Sequence, residues 1–501
     1  MYKQIYRGAD MEKTIKSSYR GRMKEREFTV NARILARRDD LAEALASSAD
    51  VTETRVRREG GEMTLSGRIN VRVLCIDEER KPVALNYNVD YDESFEADEI
   101  GEDARVAATV SVEEMTVRIL GGREAEITLR CKARGEVCRD YETTAEEMPE
   151  GVITKTESVS VGRISARSEN RFTVTHETPL PAGETLLQTD AGAIITGASV
   201  SDEVLTLSGK VFFRPVYMTE EGLPRATLTA VPFTEEIEAK GFSGGTPLAE
   251  VKVTDLRVRI TEEEGASFLN AEFTLSATAT DFVLQSEECV KDCYSTDYEL
   301  IKTEAEIIGA VYKGMTLAEV GFGGNVPCDE PAARVLGLFD TGASGITAEA
   351  GEGTVQLSGM VTGSFVYLDA DDKIRSQTFA LPFAALVSVP ECTERSEVTA
   401  DALVTDAAVR RNGSGADVAG TITVTLNAVS NEKRRIIGSV LLGEKKEPSG
   451  AAIEAVIAEA GEDAWSVGKA LNMRPEDVLE LNPRLSEPLS EPTRIVVYHK
   501  L

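Results

Sequence analysis

The chain has 501 residues, 42% of them hydrophobic and 28% charged, which is enough apolar material for several cores and excludes a disordered chain. With 85 acidic against 55 basic residues the formal net charge is −30, so long-range electrostatics disfavour nucleic acid or anionic lipid as a partner. Neither the N-terminus, Met1 to Gly8, nor any later stretch carries an apolar run of signal-peptide or membrane-spanning length, and seven cysteines are few and odd in number; a cytoplasmic chain in a reducing compartment, with no direct membrane insertion, is expected.

Residues 1–20 read as an N-terminal arm. Three copies of one pattern follow, expected as domains at 21–145, 163–290 and 305–432. The first reads Leu65-Ser66-Gly67, then Val71, Val73, Cys75, Tyr91 and Phe95, fading near Val117-Arg118. The second reads Leu207-Ser208-Gly209, Val211, Phe213, Tyr217, Phe233, Ile237 and Val258-Arg259. The third reads Leu357-Ser358-Gly359, Val361, Phe365, Tyr367, Phe383, Val387 and Val409-Arg410. The three glycines lie 142 and 150 residues apart, well above a solenoid period, so each copy is long enough for its own core.

Within each copy apolar and polar residues alternate. Leu65, Ile69, Val71, Val73 and Cys75 oppose Ser66, Arg68, Asn70 and Arg72, and Leu269, Ala271, Phe273, Leu275 and Ala277 oppose Asn270, Glu272, Thr274 and Ser276. A period of two predicts half-buried strands. Turn-forming stretches fall where hairpins need them, at Asp77 to Pro82, Thr219 to Pro224 and Asp369 to Lys373, and again at Gly121-Gly122, Gly265 and Gly413-Ser414-Gly415. The expected fold class is mainly β, with three tandem homologous antiparallel β-sandwich-like domains. The recurring glycine should mark a bulge or a close backbone crossing.

Residues 433–452 read as a linker, turn-rich and charged from Gly443 to Gly450, before a different module at 453–501. Ala451 to Ala460 permits a strand or a helix. Gly461-Glu462-Asp463-Ala464 can cap a helix carrying Trp465, Val467, Ala470 and Leu471 on one face. A second helix starts near Pro475 and stops at Asn482-Pro483, and Arg494 to Tyr498 forms a β-branched strand. The tail is therefore expected to be a small α/β (β-α-α-β) module.

This tail resembles a LysM domain in Gly461 to Gly468, in Met473 to Pro483 and in the closing Arg494-Ile495-Val496-Val497-Tyr498. The Leu-Ser-Gly strands and the downstream aromatics Tyr91, Phe233 and Phe383 resemble the SPOCS family of spore-forming bacteria. SPOCS repeats followed by one LysM module look like the SipL-type spore coat morphogenetic proteins. That resemblance implies a non-enzymatic scaffold in the mother-cell cytoplasm, at the forespore surface. It also implies that the tail docks on a spore coat morphogenetic ATPase of the SpoIVA type or another coat protein. The alternative partner is peptidoglycan, an N-acetylglucosamine polymer. Either would be held by the LysM-like loops, Gly461, Glu462, Asp463 and Ala464 with Asn482, Pro483, Arg484 and Leu485. Glu462 and Asp463 depart from the Asp and Thr usual there, and no glycine precedes the last strand.

Reactive constellations are scarce. His176 and His499 are the only histidines, the first expected at a strand surface and the second solvated, which leaves little for general-base or metal chemistry. Cys289 and Cys293 would stand one turn apart on a helix, but no Cys or His pair completes a zinc spacing; buried apolar thiols are the simpler reading. Glycine clusters match neither a P-loop nor a dinucleotide fingerprint. No enzyme, metal or cofactor is expected, and Trp465 is expected to pack inside the tail.

Overall fold

A computed structural model describes residues 12–36, 40–59, 62–96, 101, 103–263, 265–447, 453–483, 485 and 488–498. Strand-forming alternation dominates it, and the protein is mainly β, made of antiparallel sheets with two short helices near the C-terminus.

A first unit runs β1 (Lys13–Arg22), β2 (Arg26–Leu35), β3 (Leu41–Glu59), β4 (Glu62–Asp77), β5 (Pro82–Glu96), β6 (Arg105–Gly121) and β7 (Glu124–Ala145). One sheet is β3-β4-β5; in the other, β7 has β6 on one side and β1 and β2 end to end on the other. The second unit runs β8 (Val152–Leu180), β9 (Thr185–Ser201), β10 (Val204–Met218), β11 (Pro224–Ala226), β12 (Thr229–Glu238), β13 (Leu248–Glu263) and β14 (Ala266–Ser295). Here β10 pairs with β9, β11 and β12, and β14 lies between β8 and β13. The third runs β15 (Tyr298–Val326), β16 (Arg334–Gly351), β17 (Thr354–Leu368), β18 (Ile374–Ser388), β19 (Glu397–Asn412) and β20 (Gly415–Lys445), with sheets β16-β17-β18 and β15-β20-β19. One strand order thus recurs three times.

Each unit buries the apolar faces of its two sheets against one another. The cores gather around Leu65, Ile69, Ile127 and Leu129, around Leu207, Phe213, Phe273 and Leu275, and around Leu357, Phe365, Val418 and Ile422. Phe213 and Phe273 meet edge to face at 5.3 Å across the second core. Non-local apolar contact of this kind, more than hairpin propensity, holds such sheets together.

The recurring glycine marks both a close approach and an irregular register. Gly67, Gly209 and Gly359 stand directly across from Tyr91, Phe233 and Phe383, and each aromatic ring lies over its glycine. A Cβ on Gly67 would overlap the Glu53 carbonyl and reach within 2.7 Å of Tyr91 Oη; on Gly359 it would come within 2.6 Å of Phe383 Cζ. The strand on the other side is bulged close by, between Val51 and Glu53 and between Ser344 and Thr347, and in the second unit the register shifts at Ser208/Gly209.

Long strands replace the expected spacers. β8 pairs with β14 along its whole length, from Val152↔Ser295 to Leu180↔Ser267. β20 continues to Lys445, so residues 433–445 of the expected linker are strand, because Ile436, Ile437 and Val440 are buried there; residues 448–452 lie outside the described residues. Lys13 to Arg20 of the expected arm belong to β1, paired with β7.

The outer ends of these long strands pack together. Ile15, Val159, Val161, Cys289, Ile307 and Ile436 form one apolar cluster contributed by all three units. A second shared cluster joins Leu45, Leu74 and Ile76 to Val216 and to Phe339, Val366 and Leu368. The second half of β4 is accordingly buried on both faces. Arg72, expected on a polar face, is 6% exposed; it pairs with Asp50 of its own unit and bridges to the second through Asp190 at 2.8 Å. Its counterpart Arg214 donates to the carbonyls of Thr341 (2.8 Å) and Val404 (2.6 Å) in the third unit. Arg20 and Asn431 exchange hydrogen bonds of 3.0 and 2.6 Å between the first and third. No helix of the described residues is long and apolar enough to cross a membrane.

Candidate binding surface of the C-terminal module

The tail folds as β21 (Ile453–Ala458), α1 (Ala464–Ala470), α2 (Pro475–Leu481) and β22 (Thr493–Tyr498), with β21 and β22 paired antiparallel. The open strand-or-helix choice at Ala451 to Ala460 resolves as strand over Ile453–Ala458; residues 451 and 452 lie outside the described residues. Ala458, Val467, Leu471, Val478, Leu489, Ile495 and Val497 form its core.

The first loop is shaped by capping. Gly461 turns at φ +92°, a left-handed conformation suited to glycine. Asp463 is the N-cap of α1 and accepts from the Ser466 backbone N–H (2.9 Å) and hydroxyl (2.7 Å). Glu462 turns back, its carboxylate accepting from the Glu459 N–H at 2.8 Å. Ala464 is fully buried. In the second loop, Asn482 Nδ2 donates to the carbonyls of Val478 (3.0 Å) and Val496 (3.2 Å), tying the end of α2 to β22. Leu485 donates its N–H to Asn482 O and packs on the tail core, while Pro483 is exposed. Arg484 lies outside the described residues. The first loop is stitched to the segment beyond the second through Gly461 N–H to Leu489 O and Leu489 N–H to Glu462 O, both 2.8 Å.

Trp465 departs from expectation. It is 3% exposed, yet it is not part of the tail core. Its ring meets Tyr294 of β14 edge to face at 4.9 Å, and its Nε1–H donates to Asp292 Oδ2 at 3.2 Å. Lys469 and Lys302 also donate to Asp292, at 2.6 and 2.8 Å. Burial alone would raise the Asp292 pKa; these three donors hold it far below the carboxylate range. Asp463 is opposed by burial in the same way and held low by the Lys155 ammonium at 2.7 Å and by Ser466. Sequence reading missed Lys155, Asp292 and Tyr294, because nothing in a strand's alternation announces a partner 173 residues away.

The other candidates stay structural. His176 lies on β8 beside a shallow depression of about 250 Å³ lined by Thr175, Glu177, Arg257, Arg259, Asn270 and Glu272; His499 lies outside the described residues. Cys289 and Cys293 sit on strand β14, not on a helix, in separate apolar clusters. Burial pushes the thiols of Cys75 and Cys131 up to about 12 and about 11, the reverse of what a nucleophile needs. Among the described residues no group of three or more His, Cys, Asp or Glu side chains is placed to hold a metal ion.

Comparison of the chain with protein-family models, with curated proteins and with solved structures returns no match.

Proposed function

We propose that the protein is a non-enzymatic scaffold of bacterial spore coat assembly, in which three homologous SPOCS-like units provide docking surface and the LysM-like tail captures a coat-basement ATPase at the forespore surface. The observation that carries this reading is the threefold recurrence of one strand order with one glycine–aromatic pair per unit, Gly67 with Tyr91, Gly209 with Phe233 and Gly359 with Phe383. The strand-helix-helix-strand tail supports it, as does the burial of six of the seven thiols that could have been nucleophiles, Cys328 being partly exposed. Tethered units multiply weak contacts with a polymeric partner.

The test is a pull-down of the coat ATPase by the full chain and by a chain lacking residues 451–501. Loss of capture with the tail supports the assignment; undiminished capture refutes it. Co-sedimentation with purified peptidoglycan, resistant to salt and dependent on the tail, would instead establish a glycan-binding protein.

A further inference from the structure

Helix α1 has two occupied faces. Val467 and Leu471 point into the tail core. Trp465, Gly468 and Lys469, with the cap residue Asp463, meet the end of β14 and its neighbours. Gly468 is where the approach is closest: a Cβ there would stand 2.8 Å from Tyr294 Oη. Around it, Tyr294 Oη donates to Met473 O at 2.6 Å, and Asn472, at φ +55°, donates to Thr296 O at 2.6 Å and accepts from Lys446 Nζ at 2.7 Å. Lys155 Nζ also stands 6.0 Å from the centre of the Trp465 ring.

This contact differs in kind from those between the three units. Those combine fully buried apolar side chains such as Phe339, Leu74 and Val366 with polar pairs that are themselves buried, such as Arg72 with Asp190. The tail contact centres on the Trp465–Tyr294 ring pair, surrounded by ion pairs that keep partial access to water: Lys155 and Asp463 are each 26% exposed, Lys469 is 45% and Asp292 is 28%. Pairs of that exposure are open to screening by salt.

We propose that the outer face of α1 is a recognition surface for a strand displaying a carboxylate and an aromatic ring two residues apart, and that Asp292 and Tyr294 of the protein's own β14 occupy it in a closed, self-docked state. The indole N–H and the Lys469 ammonium converge on one carboxylate, the ring edge selects an aromatic neighbour, and Asp463 favours a basic group beside them. Mild acid leaves Asp292 ionised and the contact closed, whereas salt, by screening the ion pairs, opens it.

Trp465 is the only tryptophan in the chain, so its fluorescence reports the docked state directly in the full-length protein. At low salt the emission should be blue-shifted and poorly quenched by acrylamide. Sodium chloride near 1 M, where the screening length falls to about 3 Å, should red-shift it reversibly and raise quenching several-fold. Asp292→Ala should do the same at low salt, with Lys469→Gln, an exposed change on α1, giving a partial effect, while far-UV circular dichroism and the urea midpoint stay unchanged. An indole freely quenched in the wild type, or one indifferent to both salt and Asp292→Ala, would overturn the proposal. So would exposure of Trp465 only together with global unfolding, since the contact would then be a permanent part of the fold.

Discussion

Replacing Asp340 by Asn should stabilise the protein at alkaline pH and do so much less in mild acid. Asp340 sits in a register irregularity of β16, at the meeting point of the three units, with a φ of +52° that asparagine adopts readily. Its Oδ1 accepts from Gln188 Nε2 at 3.4 Å, and its Oδ2 has no hydrogen-bond partner. Arg72, Asp190, Ser48 and Arg214 face it from β4, β9, β3 and β10. Burial, reinforced by the Asp190 charge and opposed by Arg72, Ser48 and Arg214, pushes its carboxyl from 3.8 up to about 6. The folded state therefore holds the Asp340 proton more tightly than the unfolded chain does. The penalty is absent below about pH 4, grows as pH rises through about 6, and is complete above that. A shift of this size corresponds to about 3 kcal/mol. Urea unfolding of wild type and Asp340→Asn at about pH 4.5 and about pH 8 measures it. The expected gain is up to about 3 kcal/mol at the higher pH and about 1 kcal/mol at the lower. An equal difference at both values, or a loss at the higher one, would show that the carboxylate is well solvated and the reasoning wrong.

The glycines under the aromatic rings give a graded test. Gly67→Ala drives a methyl into the Glu53 backbone carbonyl, whereas Gly359→Ala mainly meets the movable Phe383 ring; both should destabilise by about 1–3 kcal/mol, Gly67 the more, in denaturant titrations. Phe273→Ala, which empties a fully buried site against Phe213, should cost about 3–5 kcal/mol by the same measurement. Buried, raised thiols such as Cys75 and Cys131 should resist a disulfide reagent in the native protein and react at once in urea; rapid native labelling of either would contradict the burial described above.

What could be read from the sequence is what repeats locally. The alternation from Leu65 to Cys75 located β4, and the opposed sets around Phe273 located β14, because a core face and a period of two are properties of neighbouring residues. The glycine–aromatic pairs were visible as recurring positions, although which lay across from which was not. β1 and the first half of β8 were not legible, since Ile15, Val159 and Val161 stand among serines and charges and become apolar positions only when the three units meet. Arg72 looked like a solvated residue for the same reason. The recurrence of arginine five places after Gly67 and after Gly209 was the signal that could have flagged a buried pair. In the tail, helix caps and the Asn482-Pro483 stop were local and legible, but the partner of Trp465 was not.

The exchange of hydrogen bonds between Arg20 and Asn431 closes a loop of 411 residues. A chain emerging from the ribosome carries β1 long before its neighbours from the third unit exist. Until then, the apolar side of β1 at Ile15 lacks the residues Ile307 and Ile436 that cover it. Loop closure of that length comes late in folding, so a segment synthesised early is among the last to be secured. A nascent polypeptide, or one truncated before the third unit, therefore exposes at Ile15 an apolar face of β1 that Ile307 and Ile436 otherwise cover.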